Sequence, residues 1–181
     1  KYLFQKNLQK PPKIGVLRNH FFEKANKDVI ENVNLAINQF NRSGAEIVDF
    51  TVDFSYEDVL NMHKILMFVE GASVHQENYQ KRPDDFGKKI SESIETGLIT
   101  SAVAYVKAQK FRRFIKDQLI EKMKDFDFVL TPSTPTAATD FSTTGDASFQ
   151  SPWTYVGFPT ITIPSGLDSD RLPLGIQIIG V

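Results

Sequence analysis

Residues 13–18 (KIGVLR) form a short apolar run, which predicts a strand. From Val29 the apolar positions Val29, Val33, Ala36, Ile37 and Phe40 return at the spacing of one helix face, and Gly44 follows as a natural stop. The stretch AEIVDF then reads as a second strand through Ile47, Val48 and Phe50. Residues 13–50 therefore predict a β-α-β unit, whose strands pair in parallel through a right-handed crossover.

Ser55 with Asp58 three residues later predicts a capped helix, which Leu60, Ile65, Leu66 and Val69 carry to Gly71 or beyond. A helical middle follows. From Ser101 the residues Ala104, Ala108, Phe111, Ile115, Leu119 and Met123 form the most regular amphipathic stripe in the chain, suited to covering one face of a sheet. After Asp125 the character changes. FDFVL is a buried-type strand stopped by Pro132 and Pro135, and residues 132–152 read as a loop rich in Ser, Thr and Gly. A loop of about 20 residues in a compact domain is usually functional or mobile. TITIP and LPLGIQII predict two more strands, with SGLDSDR between them and Pro164-Ser165-Gly166 as the turn that ends the first. The expected fold class is α/β, a mixed β-sheet flanked by helices.

Composition narrows the partners. With 181 residues, 41% of them hydrophobic, one core is the default, burying roughly 70% of the unfolded surface. Lys plus Arg number 21 against 22 Asp plus Glu, so no overall field draws the chain to nucleic acid or to an acidic membrane. The absence of cysteine removes disulfides, thiolate nucleophiles and the commonest zinc sites, and fits a cytoplasmic location. No stretch approaches the roughly 20 apolar residues of a membrane span, and the first residues carry no signal-peptide apolar region. Pro11 and Pro12 run straight into a strand, and Val181 sits one step beyond an apolar run, so both ends are expected to be cuts in a longer chain.

A search for catalytic motifs returns little. His20, His63 and His75 fall at no metal-ligand spacing and are expected to be surface or satisfied side chains. Gly87-Lys88 resembles the end of a phosphate loop, but Arg82 stands where that loop needs glycine, and no GxGxxG follows the first strand. No GxSxG elbow or SxxK pair offers a serine nucleophile. The pairs Asp84-Asp85 and Asp125-Asp127 flank helix ends, where solvated charge is ordinary.

Three longer patterns stand in one order: FDFVLTPSTPTAA, SPWTYVGFPTITIPSG and LPLGIQIIG. They resemble the amidase signature family, whose members carry D-x-x-L-x-P-x-x-P, G-x-P-x-x-x-x-P-x-G and L-P-x-G-x-Q segments in the same sequence. KIGVLRNHFFEKANKDV, GAEIVDF and the helix containing YVKAQKFRRFI look like family counterparts too, so the likeness covers nearly the whole chain. The resemblance implies that residues 1–181 are a C-terminal portion of an amidase-signature domain, truncated at both ends, with a partial amidase-signature fold. It further implies hydrolysis of a carboxylic amide to acid and ammonia or amine through a serine acyl-enzyme, with no cofactor. The family's Ser-Ser-Lys lies in a Gly and Ser-rich region, and nothing here matches it. FSTTGDAS has neither paired glycines nor a Ser-Ser step, so no catalytic residue carries over.

Loss of a serine nucleophile costs on the order of a million-fold in rate, about 8 kcal/mol of barrier, so this chain alone is expected to be inactive. What the resemblance leaves it is pocket wall, at Thr131, Ser133, Phe149, Trp153 and Tyr155. The implied partners are a small-molecule amide and the missing N-terminal half of the same protein, with no direct nucleic acid, no membrane, and a homo-oligomer left open. The glutaminase subunit of transfer-RNA-dependent amidotransferases is the nearest alternative within the family. That branch implies an Arg where Ser93 stands, an acidic residue near Asp146 and an Asn where Thr154 stands, so a stand-alone amidase is favoured. A non-catalytic assembly domain on the same fold is the alternative from another class.

Overall fold

The computed structural model describes residues 10–180. The features read from the first nine residues and from Val181 lie outside that range.

The chain divides into two compact units, one reaching to Phe54 and resuming at Gln118, the other spanning Ser55–Asp117.

In the first unit, β1 (Lys13–Leu17), the short α1 (Phe21–Lys24), α2 (Lys27–Arg42) and β2 (Glu46–Phe50) realise the β-α-β reading, and β1 pairs with β2 in parallel. Helix α2 begins where the Asn26 side chain accepts from the Val29 N–H at 2.9 Å, and it stops before Gly44, whose φ of 96° is left-handed. Its stripe Val29, Val33 and Ile37 is buried against Ile14, Val16, Leu130 and Ile176, with Ala36 and Phe40 packed at the margin.

The second unit begins with α3 (Tyr56–Lys81), capped by the Ser55 hydroxyl accepting from Asp58 N–H at 3.2 Å. A 3-10 turn at Pro83–Asp85 leads to α4 (Lys88–Ile99), and α5 (Ala102–Met123) then carries the chain back to the first unit. Gly97 of α4 lies so close to Phe68 O and Ala72 Cβ of α3 that no side chain fits there. On α3 the deepest positions are Tyr56, Val59, Leu66 and Ala72, whereas Leu60, Ile65 and Val69 are half-buried. Of the α5 stripe, Ala108, Ile115, Leu119 and Met123 are buried, and Ala104 and Phe111 are half-buried. Among the described residues no helix is long and apolar enough to cross a membrane.

Three further strands complete the sheet: β3 (Phe128–Pro132), β4 (Thr160–Leu167) and β5 (Pro173–Ile179), with α6 (Ser151–Val156) before β4. The order is β2-β1-β3-β5-β4. Strand β3 is parallel to β1, and β5 is antiparallel to both β3 and β4, so the sheet is mixed.

Two sequence expectations are corrected here. The loop expected to run to residue 152 stops earlier, because Ser151–Val156 is helix, with Pro152 in its first turn and Gly157, at φ 75°, receiving the chain in the left-handed region. Pro164-Ser165-Gly166 is not a turn; β4 runs on to Leu167 with a register shift between Pro164 and Gly166. The shift is held by Asn32 of α2, whose Nδ2 donates to Ser165 Oγ at 2.7 Å, and a Cβ on Gly166 would collide with the Asn32 side chain.

Candidate functional site

Strands β1, β2 and β3 run parallel, and ligands of open α/β sheets sit beyond the carboxyl ends of such strands. At the end of β3 the segment from Ser133 to Gln150 arches over a cleft of about 820 Å³. Ser133, Thr162 and Gly175 contribute its floor, and the arch contributes its outer wall with Asp140, Phe141 and Asp146.

The floor is built by hydroxyls and held open by a glycine. Ser133 Oγ donates to Thr162 Oγ1 at 3.2 Å, and Ser133 N–H donates to Gly175 O at 3.2 Å. A Cβ on Gly175 would stand 2.9 Å from Thr162 Cγ2 and 3.2 Å from Ser133 Oγ, so the glycine keeps the two hydroxyls in reach of each other.

Both feet of the arch are pinned. Asn26 N–H donates to Pro135 O at 2.8 Å, tying the near foot to the start of α2. The far foot is held by two carboxamides. Gln150 Nε2 donates to Ser133 O, and Gln177 Nε2, 1% exposed on β5, donates to Phe149 O at 3.3 Å and Thr131 Oγ1 at 3.4 Å. Thr131, Gln177 and Thr162 are register partners across β3, β5 and β4 and form one polar row that ends at the cleft.

Of the five residues read as pocket wall, Ser133 lines the cleft. Thr131, Phe149, Trp153 and Tyr155 are at most 2% exposed and lie behind it. Phe149 meets Phe21 edge-on at 5.0 Å, and Phe21 stacks on Trp153 at 5.7 Å, an aromatic layer beneath the far foot. His20 joins that layer 5.8 Å from Phe149, at the end of β1. Its φ of 67° and the Phe21 N–H to Asn19 O bond of 2.9 Å define a γ-turn in a left-handed conformation rare outside glycine. Burial and Lys24 hold its imidazole below the ordinary value, against the opposing pull of Glu23 and Asp146. Asp146 lies in the cleft wall, and its carboxylate accepts from Ser148 N–H at 2.8 Å. Ser93, in the other unit, is a helix residue whose hydroxyl donates to Lys89 O at 2.8 Å.

Thr162, Gly175, Gln150 and Gln177 are site residues that sequence reasoning did not single out. Gly175 and Gln177 stood inside the L-P-x-G-x-Q pattern, and the structure supplies the reason for each. The other patterns are accounted for similarly: Asp127 accepts from Lys13 N–H at 2.7 Å to start the β1–β3 pairing, Leu130 is core, and Pro159 O accepts from Gly180 N–H at 3.0 Å.

The family model for amidases matches residues 2–181. This chain belongs to the amidase family. Among curated relatives, a glutamyl-tRNA(Gln) amidotransferase subunit of Halothermothrix orenii is 27% identical over 199 residues, covering 93% of this chain and 42% of that protein. The corresponding protein of Pelagibacter ubique is 38% identical over 116 residues, covering 56% of this chain and 24% of that protein. This amidase-family chain thus spans about two fifths of the length of the Halothermothrix relative. Among solved structures, an amidase superposes with a TM-score of 0.83 at 21% identity, covering 95% of this chain and 42% of its own. A bacterial aryl acylamidase of the amidase signature family superposes at 0.77 with 18% identity, over 95% and 40%. At these identities the superpositions speak for the fold alone.

Proposed function

We propose that this chain is the C-terminal wall of the substrate cleft in an amide hydrolase, whose Ser-Ser-Lys is supplied by an upstream part of the same protein. The reaction is hydrolysis of a carboxylic amide to acid and ammonia or amine through a serine acyl-enzyme. The observation that carries the reading is the amidase match over residues 2–181 of a chain that spans only 42% of a full-length relative. In this reading Ser133 touches the substrate, while Thr131, Phe149, Trp153 and Tyr155 hold the wall from behind. The chain by itself is inactive, and the protein works in the cytoplasm on a small-molecule amide.

A second reading is favoured by the curated relatives and by Asp146 in the cleft wall. The parent is then the glutamine-hydrolysing component of an amidotransferase, with Asp146 facing the ammonium group of glutamine. The experiment is expression of the parent reading frame and measurement of ammonia or amine released from aliphatic amides, aryl amides and glutamine. Turnover of simple amides supports the stand-alone amidase, and turnover confined to glutamine supports the second reading. No turnover of any amide by a parent that carries the Ser-Ser and Lys segments overturns both.

A further inference from the structure

The outer wall of the cleft is a loop that bonds to itself. Among the described residues, every hydrogen bond made by residues 136–146 stays between Thr134 and Ser148. Asp140 accepts from the Ser142 N–H at 2.9 Å, Thr143 Oγ1 from the Gly145 N–H at 3.2 Å, and Asp146 from the Ser148 N–H at 2.8 Å. Gly145, at φ 82°, takes the left-handed step in this run of short turns. The Gln150 carboxamide on Ser133 O keeps the two feet together, so the segment is a compact loop presented by a rigid sheet.

Midway between the feet stands Phe141, fully exposed between Asp140 and Ser142. Asp140 and Ser142 make the turn without it, and a phenyl ring left in water forgoes its burial free energy. Phe141 is also the one aromatic side chain among the described residues that line the cleft. Charge narrows what can lie against it. The lining holds two carboxylates, Asp140 and Asp146, and among the described residues no Lys, Arg or His. A ligand carboxylate would meet like charge there without a cation to pair it.

We propose that Phe141 is the specificity-determining contact of this cleft, packing on an aromatic or branched aliphatic substituent of an amide that carries no carboxylate. An aromatic substituent meets the ring offset or edge-on, and its arrival covers the apolar surface that the free loop exposes. The hydroxyls of Ser133 and Thr162 then lie at the floor, away from the apolar end. The proposal rests on the reading of the parent as a stand-alone amide hydrolase with this cleft as its substrate pocket.

The test is the kinetics of the full-length parent on benzamide, para-carboxybenzamide and acetamide. Phe141→Ala is expected to lower the ratio of kcat/KM for benzamide over acetamide about tenfold, chiefly through KM, and Phe141→Tyr to restore it. In the wild-type protein para-carboxybenzamide is expected to be about tenfold poorer than benzamide. An unchanged ratio in the alanine variant overturns the proposal and leaves amide hydrolysis standing, as does para-carboxybenzamide turned over as well as benzamide. Turnover confined to glutamine overturns it too, since glutamine carries the excluded carboxylate. In a parent that hydrolyses no amide, hydrogen exchange of residues 136–146 with millimolar benzamide decides. Slowing by about tenfold keeps the Phe141 contact and removes the catalytic reading instead, and unchanged exchange overturns the contact as well.

Discussion

The Gln177 carboxamide reaches across from β5 to Phe149 O at 3.3 Å and to Thr131 Oγ1 at 3.4 Å, so one buried side chain joins strand β3 to the far foot of the cleft arch. Gln177→Leu keeps the volume and removes both donors, leaving two buried acceptors unpaired. The expected cost is about 1–3 kcal/mol, read as a lower urea midpoint of the parent protein. Amides of residues 148–150 are expected to exchange faster as the foot loosens. An unchanged midpoint would show that water replaces the carboxamide and that Gln177 pins nothing.

Trp153 and Ser133 separate packing from contact. Trp153 is 1% exposed and stacked on Phe21, so Trp153→Ala is expected to cost about 3–5 kcal/mol in denaturant unfolding. Its Nε1–H has no hydrogen-bond partner among the described residues, so Trp153→Phe loses volume but no bond and is expected to cost less. Ser133→Ala removes the donor to Thr162 at the cleft floor. Its expected effect is a stability loss of only about 1 kcal/mol with a rise in KM for the amide substrate. A KM left at the wild-type value would remove Ser133 from the substrate's surroundings.

Gly97 marks where α4 meets α3 with backbone against backbone. An added Cβ meets Phe68 O and the Ala72 methyl, and backbone cannot step aside as a flexible side chain can. Gly97→Ala is expected to destabilise by about 1–3 kcal/mol or more, seen as a drop in Tm. Gly71→Ala is the control, since nothing lies within 4 Å of a Cβ at that position.

The histidines predict an acid limb. Burial lowers both His20 and His63 from 6.5, with Lys24 acting the same way on the first and Arg112 on the second. Glu23 and Asp146 oppose the shift at His20, and Glu70 opposes it at His63. Below the ordinary value the unfolded chain therefore binds more protons than the folded one. Stability from these groups is complete above pH 6.5 and is lost as pH falls through the folded values. Urea midpoints on either side of pH 6.5 should show the loss, and His20→Gln with His63→Gln should flatten it.

Much of the fold was legible because its period was clean. The α2 stripe, the α5 stripe, β1, β2 and β3 all carry apolar residues at helix or strand spacing, and those residues supply much of the buried core. Helix α6 escaped because six residues are too few for a period, although Pro152 and Gly157 bracket it as start and stop. The course of β4 through Pro164-Ser165-Gly166 escaped because those are turn residues by composition. Asn32, far off in sequence, holds them in the sheet.

The site divides along the same line. The sequence by itself determined the family, the mixed α/β sheet and the presence of a long polar segment after β3, since each follows from local pattern and order along the chain. Only the tertiary structure decided that Trp153 and Tyr155 turn inward while Thr162 and Gly175 form the cleft floor. It also decided that two glutamines pin the arch and that, among the described residues, β4 ends the sheet with Ile161 and Ile163 exposed. The physical reason is that burial and hydrogen-bond partnership are set between strands far apart in sequence. Residues Ser133 and Thr162 meet only because β5 lies between β3 and β4 and carries a glycine where they face each other.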